Sequence, residues 1–139
     1  KYYARDMQDW SSWWGQEVQM TPHFPLRTVL PLRIAILEPK TTPILYRAAW
    51  MEGCNIGVPD VVARVLSSAG FDGAELVAQT QQSWVKDRLK ENTAEAAAVG
   101  CCGVPSFWVN QRVLVWGQDR FDQVVWALHG WMPAAEQRG

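Results

Sequence analysis

Apolar residues in the first hundred positions recur at helical spacing, in segments that glycine and proline separate. In the first segment Tyr3, Met7, Trp10 and Trp14 lie three or four residues apart, and Gly15 follows as a stop. Five further helices are predicted, over Thr28 to about Glu38, Thr42 to Gly53, Pro59 to Gly70, a short stretch after Asp72, and Ser83 to Gly100. Residues 16–27 contain two prolines and no period, so they predict a loop.

The period becomes strand-like only after Gly103. SFWV (106–109) and VLVW (113–116) predict two strands, and the three residues between them predict a hairpin turn. The segment after Gly117 predicts a helix with one apolar face, made of Phe121, Val124, Val125 and Leu128.

The two strands predict more sheet than these 139 residues contain. VLVW is apolar on both faces and SFWV nearly so, as in strands that are covered on both sides. A two-stranded ribbon does not provide such cover. We therefore expect further strands, either from a segment ahead of Lys1, which we favour, or from another chain.

Composition and charge exclude several classes of function. The chain of 139 residues is 48% hydrophobic and 19% charged, which is typical of a globular protein. Its net charge is −1 and no segment carries a basic stripe, so we expect no nucleic-acid partner. No apolar run approaches the roughly 18 residues of a membrane span, so we expect no membrane partner.

The three cysteines do not form a recognisable redox or metal motif. Cys101 and Cys102 are adjacent, Cys54 is distant, and none belongs to a CxxC. An adjacent pair suits neither an ordinary disulfide nor a metal site. We expect packing roles for these thiols, no metal site, and a reducing compartment.

The start of the predicted hairpin carries the candidate chemistry. Gly-Val-Pro ahead of a strand predicts a cis bond between Val104 and Pro105, which leaves the backbone of Val104 free to pair with an extended peptide. WGQDR then leads to a helix N-terminus, where free N–H groups favour a carboxylate and Asp119 could hold an ammonium group. Together these features suit a small zwitterionic peptide. In the alternative interpretation Pro105 merely starts a strand and Asp119 merely caps a helix.

The same motifs resemble a known family. GVPSFWV…VLVWGQDRF resembles the C-terminal signature of 2-hydroxychromene-2-carboxylate isomerases and kappa-class glutathione transferases. The resemblance extends through KDRLKENTAEAAAVGCCGVP, NIGVPDVVARVLSSAGFD and HFPLRTVLPLRI to YYARDMQDW, and so covers nearly the whole chain. It implies an α/β, thioredoxin-like fold of the DsbA type with a large helical insertion. In this mostly α-helical chain, residues 1–100 resemble the insertion and residues 101–139 the C-terminal ββα part; the family's N-terminal βαβ part is expected ahead of residue 1.

The resemblance also implies a glutathione site. Val104, ahead of cis Pro105, would pair with the cysteinyl backbone of glutathione, and Gln118 and Asp119 would hold its γ-glutamyl end. The family's catalytic serine would lie ahead of Lys1, so no catalytic residue is assigned within this chain. A family lysine also falls there, which leaves Lys1 itself out of register.

Five other side chains receive expectations of their own. Trp108 and Trp116 could flank an organic substrate, although we favour core packing for both. Phe24 and Pro25 are expected to shape their loop. Arg33 lies on an apolar helix and is expected to pair with a buried acid.

The resulting prediction is a glutathione-dependent isomerase or transferase for small aromatic compounds, in which the thiolate of bound glutathione adds to the substrate. The resemblance implies a cytoplasmic homodimer. Two alternatives stay open. One is a DsbA-like thiol–disulfide oxidoreductase, which would require a CxxC upstream. The other is a non-catalytic binding or oligomerisation module that completes its sheet with a second copy.

Overall fold

The computed structural model describes residues 2–134, apart from the side chain of Tyr3. Lys1, the Tyr3 side chain and the end of the second predicted domain from 135 onward lie outside the described residues. The helices and strands are α1 (Tyr2–Trp14), α2 (Val29–Leu37), α3 (Thr42–Trp50), α4 (Pro59–Ser68), α5 (Gly73–Gln79), α6 (Ser83–Ala98), β1 (Ser106–Val109), β2 (Val113–Trp116) and α7 (Phe121–Leu128). Short 3-10 helices at Pro39–Thr41 and Gln118–Arg120 precede α3 and α7. No helix in this part of the chain is long and apolar enough to cross a membrane.

The order of the elements is the predicted one. Six helices come first, and a strand–strand–helix unit follows them. The chain divides into two compact units, residues 1–89 and 90–139, and the division falls within α6. The predicted domains, 1–100 and 101–139, stay a prediction.

The core of the first unit forms around α2, whose sequence VLPLRIAIL is apolar on nearly every side. Such a helix must be covered by its neighbours, and α2 contacts both α3 and α5. The buried core residues come from α2, α3, α4 and the loop between α3 and α4: Ile34, Leu45, Ala48, Ala49, Ile56, Val62 and Leu66.

Arg33 departs from its expected role. Its Nε atom is buried and has no hydrogen-bond partner among the described residues. The expected pairing with a buried acid is therefore wrong at this atom.

Helix starts agree with the sequence only in part. Asp72 caps α5 as predicted, because its Oδ1 accepts a hydrogen bond from the Glu75 N–H at 3.0 Å. Thr28 stands at the N-cap position of α2, but its side chain makes no capping hydrogen bond. Its backbone explains the difference: φ −101° and ψ −3° lie outside the extended region typical of a capping residue.

The start and the end of α3 also differ from the prediction. Thr42 is the first residue of α3 rather than its cap, because an unpredicted 3-10 helix occupies the preceding residues. Glu38 caps that short helix, with its Oε1 accepting from the Lys40 N–H at 3.1 Å. At the other end α3 stops at Trp50, three residues before Gly53.

In the second unit, β1 and β2 pair antiparallel, with Val109 opposite Val113 and Ser106 opposite Trp116. The turn between them is tight. Asn110 and Gln111 both have positive φ, 51° and 55°, and the Arg112 N–H donates to the Val109 carbonyl at 3.0 Å. Positive φ at both central positions is the feature that matches a turn to the twist of a hairpin.

One face of the hairpin packs against α7. The buried residues of this small core are Val109, Val113, Val115, Val124 and Ala127. At its edge Phe107 and Phe121 meet edge to face, with ring centroids 5.7 Å apart. The predicted apolar face of α7 is only partly buried: Val124 is covered, whereas Phe121, Val125 and Leu128 are exposed in this chain.

Candidate functional site

The hairpin begins with an exposed backbone segment. The Val104–Pro105 peptide bond is cis, as predicted. Val104 is 89% exposed. Among the hydrogen bonds of the described residues, neither the N–H nor the C=O of Val104 has a partner. Both groups are therefore available to an extended peptide laid beside them.

Local contacts fix the segment just before Val104. The Ser106 hydroxyl donates to the Gly103 carbonyl at 2.6 Å, and the Cys101 thiol donates to the same oxygen at 3.2 Å. Gly103 also lies against the indole of Trp116. A Cβ at position 103 would stand 2.8 Å from Nε1 of that ring, so the close approach requires glycine.

Gly117 joins this segment to the second part of the predicted site. Its N–H donates to the Pro105 carbonyl at 3.0 Å, directly beyond the Ser106–Trp116 pair. The structure thus brings Val104 and Pro105 to the same end of the hairpin as Gln118 and Asp119. Gly117 has φ +110°, and a Cβ there would collide with Oδ1 of Asp119. The carboxylate of Asp119 therefore folds back over Gly117.

Gln118 and Asp119 form the exposed 3-10 turn before α7. Their backbone N–H groups have no acceptor among the described residues, and the turn is closed by the Arg120 N–H and the Gly117 carbonyl at 3.4 Å. No cation pairs with the Asp119 carboxylate within residues 2–134. Free N–H groups ahead of a helix attract a carboxylate, and an unpaired carboxylate attracts an ammonium group. A single α-amino acid group carries both the carboxylate and the ammonium that these two features attract.

Trp108 and Trp116 lie on the hairpin face opposite the small core. They are 40% and 49% exposed, so the core packing favoured for them is wrong within this chain. Leu114, opposite Trp108, completes this outer apolar face. Because Trp116 touches Gly103, an indole borders the exposed segment.

The thiols of the chain are unpaired, and its metal-ligating side chains do not cluster within the described residues. All three cysteines are free, with Cys101 half-buried against Gly103 and Cys102 exposed. Across residues 2–134 no group of three or more His, Cys, Asp or Glu side chains could hold a metal ion.

Two cavities in the first unit escaped the sequence analysis. One, of about 530 Å³, is lined by Arg47, Glu52, Arg64 and Cys54 with aliphatic neighbours, and the Arg47–Glu52 ion pair spans 3.0 Å. The other, of about 350 Å³, is almost entirely apolar and lies between the 24–28 loop, α2 and α3. The sequence held one indication of the second cavity: large apolar residues, such as Leu32 and Tyr46, lie outside the buried faces of their helices.

Comparison with protein families assigns most of the chain to a known domain. A family model described as a DSBA-like thioredoxin domain matches residues 1–129. The chain belongs to this family. The DSBA-like domain has the fold class expected from the sequence, and that fold suggests thiol-based redox or transferase chemistry. No curated protein matches the chain.

Proposed function

We propose that this DSBA-like domain belongs to a glutathione-dependent isomerase or transferase that acts on small aromatic compounds. The observation that carries the proposal is the end of the hairpin. There the unpaired backbone of Val104 and the unpaired carboxylate of Asp119 are joined through the Pro105–Gly117 hydrogen bond. The same end of the hairpin can therefore bind the backbone of a peptide and the charged end of an amino acid.

The groups at this end match the chemistry of glutathione. A backbone N–H and C=O on one residue, Val104, can pair with the cysteinyl unit of an extended peptide. The amides of Gln118 and Asp119 suit the γ-glutamyl carboxylate, and the Asp119 carboxylate suits its amino group. Bound glutathione would supply a thiolate nucleophile. This chain's own residues would bind the peptide and orient it, and no residue among the 139 is proposed as the thiolate's partner.

The other parts of the proposal rest on the family resemblance. The exposed indole of Trp116 beside the segment, and that of Trp108 on the same face of the hairpin, support an aromatic substrate. A cytoplasmic location and a homodimer are proposed on the same basis.

A thiol–disulfide oxidoreductase is the second candidate, because the DSBA-like domain suggests it equally well. We place it second because the unpaired carboxylate of Asp119 suits the amino end of glutathione. The exposed thiol of Cys102, two residues before Val104, is the one group that keeps it in consideration.

Calorimetry with S-methylglutathione tests the proposal, since its blocked sulfur cannot react with Cys102. Asp119→Asn keeps the shape of the side chain and removes its charge. Loss of a charged hydrogen bond costs about 1.5–3 kcal/mol, so we expect affinity to fall about tenfold to a hundredfold. Asp122→Asn is the matched control, because Asp122 is also an exposed acid and lies in the first turn of α7. It is expected to leave affinity unchanged.

A ligand lacking the amino group separates a direct contact from an indirect one. S-methylglutathione with its α-amino group replaced by hydrogen should bind wild type weakly, and Asp119→Asn should weaken it little further. Equal binding of both ligands by the wild type, or equal losses from Asp119→Asn and Asp122→Asn, would refute the assignment of Asp119.

A further inference from the structure

We propose that the charged groove between α3 and α4 is a binding site for an aliphatic monocarboxylate. The charged groove is the cavity of about 530 Å³ that Arg47, Glu52, Arg64 and their aliphatic neighbours line. Its volume lies within the range of about 300–1,000 Å³ for small-molecule pockets. It uses no residue of the hairpin, so the proposal stands or falls independently of the proposed glutathione site.

Helical spacing places one wall of the charged groove on each helix. On α3, Ile44 and Arg47 are three positions apart and form one wall. The four lining residues of α4 lie three or four positions apart and therefore share one face; they are Val61, Arg64, Val65 and Ser68. Because α3 and α4 pack directly against each other, the apolar side chains of these two faces give the groove a floor.

The chain that follows α3 fixes the position of Glu52. The N–H groups of Met51 and Glu52 both donate to the Arg47 carbonyl, at 2.8 and 3.2 Å. The Cys54 N–H donates to the Ala48 carbonyl at 2.8 Å. These bonds hold Glu52 just beyond the end of α3, where its Oε1 accepts from Nε of Arg47 at 3.0 Å. The charge of Arg47 is thereby compensated within the groove.

Arg64 supplies the positive charge that the lining does not compensate. Within residues 2–134 no acid pairs with Arg64, and Glu52 is the only acid among the described lining residues. The lining therefore carries one positive charge in excess. A guanidinium offers parallel N–H donors that match the two oxygens of a carboxylate. A monoanion satisfies this charge, whereas a dianion would bring its second charge close to Glu52 without a partner.

The apolar part of the lining selects the body of the ligand. Ile44, Val61 and Val65 are half-buried and present branched aliphatic surface to the groove. On the same helix as the two valines, Val62 and Leu66 are fully buried in the core. Val61 and Val65 therefore form a second apolar stripe that the core leaves partly open. No aromatic side chain of the described residues lines the groove, so a ring gains no stacking partner there, whereas an alkyl chain buries apolar surface.

Methyl NMR of the isoleucine-labelled chain with octanoate tests the proposal. The chain has four isoleucines, at 34, 36, 44 and 56, and Ile44 is the one that lines the charged groove. We expect a saturable shift of the Ile44 δ1 methyl and no shift of Ile56, which lines the other cavity. An unmoved Ile44, or equal and non-saturating shifts of all four methyls, would overturn the proposal.

Three further ligands with the carbon count of octanoate separate the effect of charge from that of the chain. Octylammonium should bind about tenfold more weakly than octanoate or worse, because Arg64 repels it. Uncharged octan-1-ol should bind about threefold to tenfold more weakly. 4-Methylbenzoate keeps the carboxylate, replaces the chain by a ring, and should also bind more weakly. Equal or tighter binding of octylammonium or octan-1-ol would overturn the anionic class, and tighter binding of 4-methylbenzoate would overturn the aliphatic class.

Variants of Arg64 supply the second arm. Arg64→Gln should lower the affinity for octanoate about threefold to tenfold and leave that for octan-1-ol unchanged. Arg64→Lys keeps the charge and should retain part of the affinity. Arg112→Gln is the matched control, because Arg112 is exposed in the hairpin turn outside the groove, and it should change neither affinity.

The methyl spectrum shows whether each variant is folded. Equal octanoate affinity in the wild type and a folded Arg64→Gln variant would contradict the proposal, as would equal losses for octanoate and octan-1-ol. If Arg64→Gln does not fold, the wild-type ligand series decides.

Discussion

At single residues, Asp72 and Thr28 show that helix capping depends on the backbone angles of the capping residue. Asp72 accepts the Glu75 N–H at 3.0 Å, whereas Thr28 makes no capping bond. We expect Asp72→Ala to lower the free energy of unfolding by about 1 kcal/mol, the usual cost of losing a cap. Thr28→Ala is the control and should change it by less than about 0.5 kcal/mol. Urea unfolding measures both, and equal losses would contradict the assigned caps.

The hairpin turn offers a stabilising change. Gln111 has φ 55°, a conformation that costs side-chain-bearing residues energy and that glycine adopts freely. We expect Gln111→Gly to stabilise the turn by about 0.5–1 kcal/mol after the entropic cost of glycine. Hydrogen exchange at the Arg112 amide, which bonds Val109, should slow about twofold to fivefold. Gln111→Ala should bring no such gain. Faster exchange in the glycine variant would show that the turn has another conformation.

Residue roles were predictable where they depend on near neighbours in sequence. Asp72 and the Val104–Pro105 bond belong to this group. Thr28 was not predictable, because its capping depends on ψ, which the sequence does not reveal. Arg33 failed for a different reason: a buried guanidinium needs a partner, but the sequence does not show whether the fold brings one to Nε.

Between elements, α5 approaches α4 closely at Gly73. A Cβ at this position would collide with the Ala63 carbonyl in α4, and the neighbouring Ser67 hydroxyl would also be too near. We expect Gly73→Ala to force the two helices apart and lower the free energy of unfolding by about 1–3 kcal/mol. Ala74→Ser, next to it on the exposed side, should cost less than about 0.5 kcal/mol. A neutral Gly73→Ala variant in urea unfolding would show that the helices are less tightly packed.

The presence of a helix was easier to predict from the sequence than the set of residues that the helix buries. For α7 the sequence correctly indicated a helix, but Val124 and Ala127 are covered while Phe121, Val125 and Leu128 are exposed. The reason is the width of the partner: a sheet of two strands covers only a narrow stripe of α7. The prediction that further strands complete the sheet stays a prediction.

For the whole molecule, the change from helical to strand-like period was enough to predict the order of elements, and the family resemblance supplied the fold class. The hairpin end was also predictable, because Val104, Pro105, Gln118 and Asp119 are held together by one short ladder. The charged groove in the first unit was not. Its walls come from two helices and the connecting loop over residues 44–69, and the space between them depends on packing that no short motif records.

The most direct test of the glutathione site is an amide NMR titration of the ¹⁵N-labelled chain with S-methylglutathione. The amides of Val104, Gln118 and Asp119 should shift together and saturate with one dissociation constant. Those of Asn110 and Gln111, at the opposite end of the same hairpin, should not move. Saturating shifts elsewhere with an unmoved Val104 amide, or no shifts at any concentration, would contradict the proposal that this end of the hairpin binds glutathione.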